Sequence, residues 1–227
     1  MHNNQIKSLI DKLNKNKTGG LIHLRPLTET VDFAKVFLTK PKPTDSIFYG
    51  NDFECFYFIK NNDGVYVAAV CDMKHDLHWY VDKKFRGQGH LTKAMKQIIL
   101  FHLFNDREIQ KITINEDRIG KKNFNSSSKV ALSLGFEETG FFNYTLNREK
   151  YFMEEIIEGQ NTPFDQKRME ELKNKIFFLS RSLLLIHTEF DMKMGYTDFA
   201  EDLMWLVKEI KKYSELFEDA WWKHKSE

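Results

Sequence analysis

The 227-residue chain is poor in cysteine and proline, with two and four residues, and carries no excess charge of either sign. Cys55 and Cys71 each sit in an apolar, strand-like run, which points to buried thiols in a reducing cytoplasm rather than a disulfide framework. No His, Cys, Asp or Glu cluster has metal-ligand spacing, so no metal is expected. The net charge of +1 argues against a general nucleic-acid or membrane-surface binder, and neither is expected as a partner. No opening segment has the apolar core of a signal peptide, and no apolar run is long enough to span a bilayer. Repeats and low-complexity tracts are missing as well. What is present is an ordinary apolar fraction of 41% and a high aromatic share that includes 20 Phe. A sizeable core is therefore available, in one large domain or a domain with an appendage.

One stretch organises the chain: Phe85-Arg86-Gly87-Gln88-Gly89-His90-Leu91-Thr92. The short aromatic and β-branched run Leu77-His78-Trp79-Tyr80-Val81 before it reads as a strand. After it, Met95, Ile98, Ile99 and the run from Leu100 to Phe104 fit one face of a deeply buried helix. Gly87 and Gly89 thus lie in a tight strand-to-helix turn, where a missing Cβ permits unusual dihedrals and close approach of a ligand. The first amides of a helix have no internal partners, and the helix dipole adds partial positive charge there. With Arg86 and Lys93 flanking it, the turn predicts an anion site, above all for phosphate. A plain βα turn is the competing reading of the turn taken alone. A nucleotide-triphosphate loop is excluded because no Gly-Lys-Ser/Thr follows. The dinucleotide fingerprint is excluded because its third glycine would fall at Thr92.

In chain order, residues 3–16 read as an amphipathic helix with Ile6, Leu9, Ile10 and Leu13 on one face, ended by Gly19-Gly20. Leu21 to Leu27 reads as the first strand, with Pro26 at its end. Thr30 and Asp32 are expected to start a short helix through Leu38, and Lys40-Pro41-Lys42-Pro43 to form a loop. Phe53 to Lys60 and Val65 to Asp72 read as strands joined by the hairpin turn Asn61-Asn62-Asp63-Gly64. Up to the glycine stretch the pattern is an antiparallel meander. Beyond the central helix, Lys111 to Asn115 reads as a strand and Asp117 to Asn125 as irregular. Ser126 to Leu134 reads as a short helix ended by Gly135. Phe141 to Leu146, a turn at Asn147-Arg148 and Lys150 to Ile157 read as a closing hairpin.

The segment from Asn161 onward has a different period. Thr162 and Pro163 fit a helix start. Met169, Leu172, Ile176, Leu179, Leu183, Ile186 and Phe190 recur every three or four residues. After Gly195 and Thr197, the residues Phe199, Leu203, Leu206, Ile210, Tyr213, Phe217 and Ala220 do the same. Two helices with matching seams and a short link predict an antiparallel hairpin. Leu184, Leu185, Trp205, Trp221 and Trp222 lie off the seam and need further cover, which makes a structural brace one expectation and a homodimer through the hairpin or a wall of the acceptor site the others. Three parts are expected: an N-terminal helix (1–19), an α+β domain (20–157) and the hairpin (158–227).

The segment Val81 to Ala94 resembles the acetyl-CoA pyrophosphate loop of the GNAT superfamily of N-acyltransferases, with Arg86, Gly89 and Leu91 at the fixed positions of Gln/Arg-x-x-Gly-x-Gly/Ala. Leu91 departs from the small residue usual at the last position. The wording from Arg86 to Ala94 most resembles the branch of ribosomal-protein N-terminal acetyltransferases. A second stretch, with Ser127, Val130, Leu134, Gly135 and Phe136, resembles the ending Ser-x-x-Val…Leu-Gly-Phe of the same family. The resemblance spans about residues 20–157. It implies a mixed, mostly antiparallel central sheet flanked by helices, and transfer of an acetyl group from acetyl-CoA to a primary amine of a small molecule or peptide. A catalytically weak or inactive module that binds CoA or a protein partner is the alternative, and a helical scaffold with an incidental α/β domain is a third.

By this resemblance, amides in the segment Arg86, Gly87, Gln88, Gly89, His90, Leu91 and Thr92 hold the pyrophosphate. The backbone of Trp79, Tyr80 and Val81 pairs with the pantetheine arm, as an added strand pairs with a sheet edge, and one amide there can stabilise the thioester oxyanion. An Asn often contacts the arm from a position occupied here by Phe124, leaving its neighbours Asn123 and Asn125 as candidates. An ammonium near pKa 10.4 must lose a proton before attack, so a general base is expected. Asp76 stands in the register where the resembling branch places a carboxylate, with His75 and His78 as alternatives. The Tyr that protonates the leaving thiolate in many members is replaced by Ala131, so Ser127 or Ser128 is the candidate acid, with Tyr144 and Tyr80 behind them. For each there is a bland alternative: Asp76 as a turn residue, His78 as a satisfied core histidine, and the serines as helix caps.

Overall fold

The computed structural model describes residues 2–42, 45, 53–150 and 156–225. The chain divides into two compact units, Met1–Asn161 and Thr162–Glu227. The first is α+β and the second all helical.

The first unit begins with α1 (Asn3–Asn14), whose Ile6, Leu9, Ile10 and Leu13 are buried as their spacing predicts. A five-stranded antiparallel meander follows, in the order β1 (Ile22–Thr28), β2 (Val31–Phe37), β3 (Phe53–Lys60), β4 (Tyr66–Asp72) and β5 (Leu77–Val81). Its two faces feed two apolar clusters. On one, α1 packs with Ala34, Val36, Phe56, Phe58, Ala69, Cys71 and Tyr80. On the other, Tyr57, Ile59, Val67, Ala68 and Val70 meet the central helix and the residues after it. Residues 90–103 form one helical run: α2 (His90–Ala94), a π-helical segment (Met95–Ile99) and α3 (Leu100–Leu103). Then come β6 (Ile109–Thr113), α4 (Glu116–Ile119), α5 (Lys121–Ser133), β7 (Glu137–Gly140) and β8 (Asn143–Asn147), the strands forming a second antiparallel sheet ordered β6-β8-β7.

Several segments differ from the sequence reading. The helix expected from Thr30 to Leu38 is strand β2. Thr28 Oγ1 accepts the amides of Thr30 (3.3 Å) and Val31 (3.1 Å), so the polar residues there close a turn between β1 and β2 instead of capping a helix. Asp32 is buried in β2 against the Tyr66 hydroxyl (2.6 Å) and Lys60 (2.8 Å). The segment expected to be irregular, Asp117 to Asn125, is helical. Asn115 Oδ1 caps α4 by accepting the Arg118 amide at 3.1 Å, and Gly120, at φ 74°, joins α4 to α5. Strand β6 begins two residues before the expected Lys111. The closing hairpin is β7–β8, turning at Phe141-Phe142. The second strand expected there, Lys150 to Ile157, falls largely on residues 151–155, outside the described residues, as does Pro43 of the expected loop.

In the second unit, α6 (Gln166–Met194) and α7 (Asp198–Lys225) form an antiparallel pair. Ser180 Oγ donates to the Val207 carbonyl at 2.8 Å, Lys173 pairs with Glu218, and Phe190 meets Phe199. The buried positions are Met169 and Ser180 on α6, and Ala200, Leu203, Val207, Ser214 and Trp221 on α7. The seam therefore runs through Ser180 rather than Leu179, Val207 rather than Leu206, and Ser214 rather than Tyr213. Small side chains let the helices approach closely, and the larger neighbours stand beside the contact. No helix among the described residues is long and apolar enough to cross a membrane.

A cation-lined cleft at the open edge of the sheet

Strand β5 is the last of its sheet, and β6, the next strand in the chain, does not extend the ladder. Side chains tie the two sheets at one end. Arg107 makes a two-pronged pair with Asp72 (2.9 and 2.8 Å) and donates to the Lys74 carbonyl, and Asp76 Oδ1 accepts the Thr113 amide at 2.8 Å. Between the strands lies a cleft of about 1040 Å³, walled by Leu77 to Val81, the glycine turn, Ile112 to Asn115 and one face of α4–α5.

The edge of β5 has usable polarity. The Asp82 amide donates to the Val67 carbonyl on β4 at 2.9 Å. Backbone groups alternate along a strand, so the amides of Trp79 and Val81 point away from β4, off the open edge. Two contacts agree: Arg86 Nε donates to the Val81 carbonyl at 3.1 Å, and Asp76 Oδ1 accepts the Leu77 amide at 2.9 Å. The edge leads into the glycine turn, where Gly87 and Gly89 have φ of 76° and 79°. Nothing lies within 4 Å of a Cβ built on either, so glycine is required there by its dihedral and not by crowding. The first ladder bond of the helix is from the Lys93 amide to the Gly89 carbonyl (2.9 Å), which leaves the amides of His90, Leu91 and Thr92 ahead of the ladder.

The expected site residues separate on this geometry. Trp79, Val81, Arg86, Gly87, Gly89, His90, Leu91, Thr92, Asn123 and Ser127 line the cleft, and Trp79 Nε1 donates to Ser127 Oγ at 3.4 Å, leaving the serine hydroxyl hydrogen free to donate. Tyr80 contributes to the wall, but its ring is buried against α1. The Leu91 side chain belongs to the core. Gln88 turns back to donate to the Lys84 carbonyl (3.1 Å) and is not in the wall.

Three more expected residues stand outside the cleft wall. Asp76 is not in the cleft wall, and one oxygen of its carboxylate is spent on two backbone amides that hold β5 to β6. Ser128 is buried and accepts from the Tyr144 hydroxyl at 3.1 Å, because successive residues on α5 diverge by about 100°, so that of these two serines Ser127 is the one in the cleft wall. That contact also takes Tyr144 into the core. Asn125 is exposed and outside the wall, whereas Asn123 lines it and donates to the Ile119 carbonyl at 2.8 Å. Of the histidines, His75 is exposed and outside the wall, while His78 lines it, with Nε2 2.9 Å from Asn3 Oδ1.

Sequence reasoning named Arg86 but missed the far wall and the cations that join it. Lys83, Arg86, Arg118, Lys122 and Lys129 all line the cleft, and no Asp or Glu does so among the described residues. None of these five cations has a carboxylate within ion-pair distance among the described residues. Lys122, Ser126, Lys129 and Ser133 are spaced four, three and four residues apart on α5 and form a cation–hydroxyl stripe. The signal was present in the capping residue Asn115 and the acidic first turn Glu116-Asp117, which mark a helix start earlier than Ser126. No group of His, Cys, Asp and Glu among the described residues is arranged to hold a metal ion. Comparison of the chain with protein-family models, with curated proteins and with solved structures finds no match.

Proposed function

We propose that this chain is an acetyl-CoA-dependent N-acyltransferase of the GNAT type. One observation carries the reading: the open edge of β5 runs into a glycine turn at the head of a cleft with five unpaired cations and no carboxylate in its described wall. An extended ligand carrying several phosphates and secondary amides fits that arrangement, and the resemblance of the segment from Val81 to Ala94 to the GNAT pyrophosphate loop supports CoA as that ligand. The pyrophosphate would sit on the amides of His90, Leu91 and Thr92, where each charge-assisted hydrogen bond contributes about 1.5–3 kcal/mol. The pantetheine arm would add to the β5 edge through the amides of Trp79 and Val81, and the oxyanion formed on the thioester would be stabilised by one of them. Ser127, its oxygen already held by Trp79, would donate to the leaving sulfur. Amine and thioester held together react directly, so much of the acceleration is positioning.

Calorimetric titration with CoA tests this reading. Micromolar or tighter binding is expected, and Gly89→Val, which forces a β-branched residue toward φ 79°, should weaken it at least 100-fold while the far-UV spectrum is kept. Unchanged affinity in that variant removes the main support. A second reading, CoA binding without turnover, draws on Asp76 being committed to the backbone and on buried Ala131 in the place of the usual Tyr. Thiol release from acetyl-CoA with a panel of amines separates the two.

A further inference from the structure

We propose that His78 is the base that removes the proton of the acceptor amine, and that Asn3 of α1 is the positioning residue that fixes its tautomer. The inference rests on the acyl-transfer reading above and adds the group which that reading lacks.

The cleft wall includes residues from both faces of the meander. Trp79 belongs with the cluster under the central helix, whereas Tyr80 packs with α1, and His78 shares the face of Tyr80 by strand alternation. Asn3, His78 and Tyr80 therefore wall the α1 side of the opening, and α5 with its cations walls the other. Phosphates drawn to the cation side leave the α1 side for the acceptor. Once Asp76 is assigned to the backbone, the described wall offers two imidazoles, those of His78 and His90. His90 belongs to the glycine turn, with Nε2 3.2 Å from Gln88 Oε1. His78 adjoins Trp79, whose amide faces the thioester in the proposed complex.

Asn3 Oδ1 has no hydrogen to give, so His78 Nε2 carries the proton in this contact and Nδ1 holds the lone pair. No hydrogen-bond partner of Nδ1 is found among the described residues. Burial lowers the pKa of His78 below its usual 6.5. The positive charge of the amino terminus and His2, the residue before α1, work in the same direction, and Asp76 opposes them. From β4, the residue opposite is Cys71, whose thiol burial pushes up to about 12, so it brings no charge. The imidazole is therefore neutral at pH 7.

In the step proposed, the acceptor ammonium gives one proton to Nδ1. The free amine attacks the thioester carbon, the C–N bond forms, and the C–S bond breaks as the tetrahedral centre collapses. The nitrogen's second proton leaves with the sulfur as CoA thiol, relayed through Ser127. Amide, CoA thiol and one proton on His78 balance the reaction.

The test begins with CoA titrations of wild type and His78→Gln. Equal affinity is expected, and no binding by the wild type sinks the acyl-transfer reading and this inference with it. Thiol release from acetyl-CoA is then followed with glycinamide, a peptide with a free N-terminus, spermidine and tobramycin, and the best amine is kept. His78→Gln should lower kcat about 100-fold at pH 7, with the gap closing at higher pH as the amine loses its own proton. Asn3→Ala should move the acid limb of the pH profile and cost less, and His75→Gln should change neither. Intact CoA binding with an unaltered kcat and acid limb in His78→Gln sinks the base assignment alone. If none of the four amines is acetylated, the ¹⁵N shifts of the imidazole decide. A protonated Nε2 titrating below 6.5, disturbed by Asn3→Ala, supports the assignment, and a protonated Nδ1 or a titration indifferent to Asn3→Ala overturns it.

Discussion

The two units use apolar stripes of similar spacing to opposite effect. On α1, all four stripe residues vanish against the sheet, with Ile6 at 0% exposure and Leu9 at 6%. In the helical pair, Leu185 stays 73% exposed, Phe178 67% and Trp205 60%. The difference lies in what each helix packs on. A sheet offers a broad surface that covers a stripe of 100° or so, whereas a single partner helix covers only a narrow seam. The seam of α6 and α7 is occupied partly by Ser180, Ala200 and Ser214, so close approach is achieved with little apolar area. Amphipathic spacing thus announces a stripe without saying how much of it will be hidden.

That comparison can be broken by substitution. The largest effect is expected at Phe56, fully buried between sheet and α1. Phe56→Ala should cost about 4 kcal/mol in chemical denaturation, and a loss under about 2 would mean the sheet–helix layer is less well packed than its burial implies. Next, Leu203→Ala in the helical seam should cost about 2–3 kcal/mol, read by tryptophan fluorescence, since Trp205, Trp221 and Trp222 all lie in the second unit.

A smaller effect should come from pH. Burial lowers the pKa of both His78 and His102 in the first unit, so the unfolded chain takes up protons before the folded one does. Stability is then greatest above about 6.5 and falls as pH drops from there toward the folded-state values. Thermal melts at pH 7 and pH 5.5 should show a drop that shrinks in His102→Gln, and a melting temperature that rises on acidification would reverse the sign of the argument. The smallest effect belongs to Leu185→Glu, expected within about 0.5 kcal/mol of wild type. Sedimentation velocity on the same variant addresses the self-association that the exposed stripe suggests, which predicts a lower sedimentation coefficient than wild type.

Much of the first unit was legible because its signals are local. Strands β3 and β5 begin and end where the composition changes, and Asn61 to Gly64 turn as their sequence demands. The errors share a cause. Thr30 and Asp32 resemble a helix start, but the hydroxyl that decides the matter belongs to Thr28 and the charge of Asp32 is answered by Lys60 and Tyr66, which lie far along the chain. The α6–α7 seam was misplaced at Leu179, Leu206 and Tyr213 because hydrophobicity was taken as the mark of contact, where side-chain size governed the approach of the helices. Within the cleft, the glycine turn could be read from dihedral needs alone. The fates of Asp76 and Ser128 depended on partners 37 and 16 residues away.

By itself the sequence determined the β3–β4 hairpin and β5 after it, the strand–glycine–helix turn and the presence of a helical pair, since alternation, turn chemistry and periodicity act over a few residues. Tertiary structure alone decided that β6 would leave the edge of β5 open, that Lys83, Arg86, Arg118, Lys122 and Lys129 would converge on one cleft, and that a histidine rather than an aspartate would face it. Those outcomes are set by which distant segments share a surface, and a carboxylate or a cation acquires its role from the neighbours that folding brings to it.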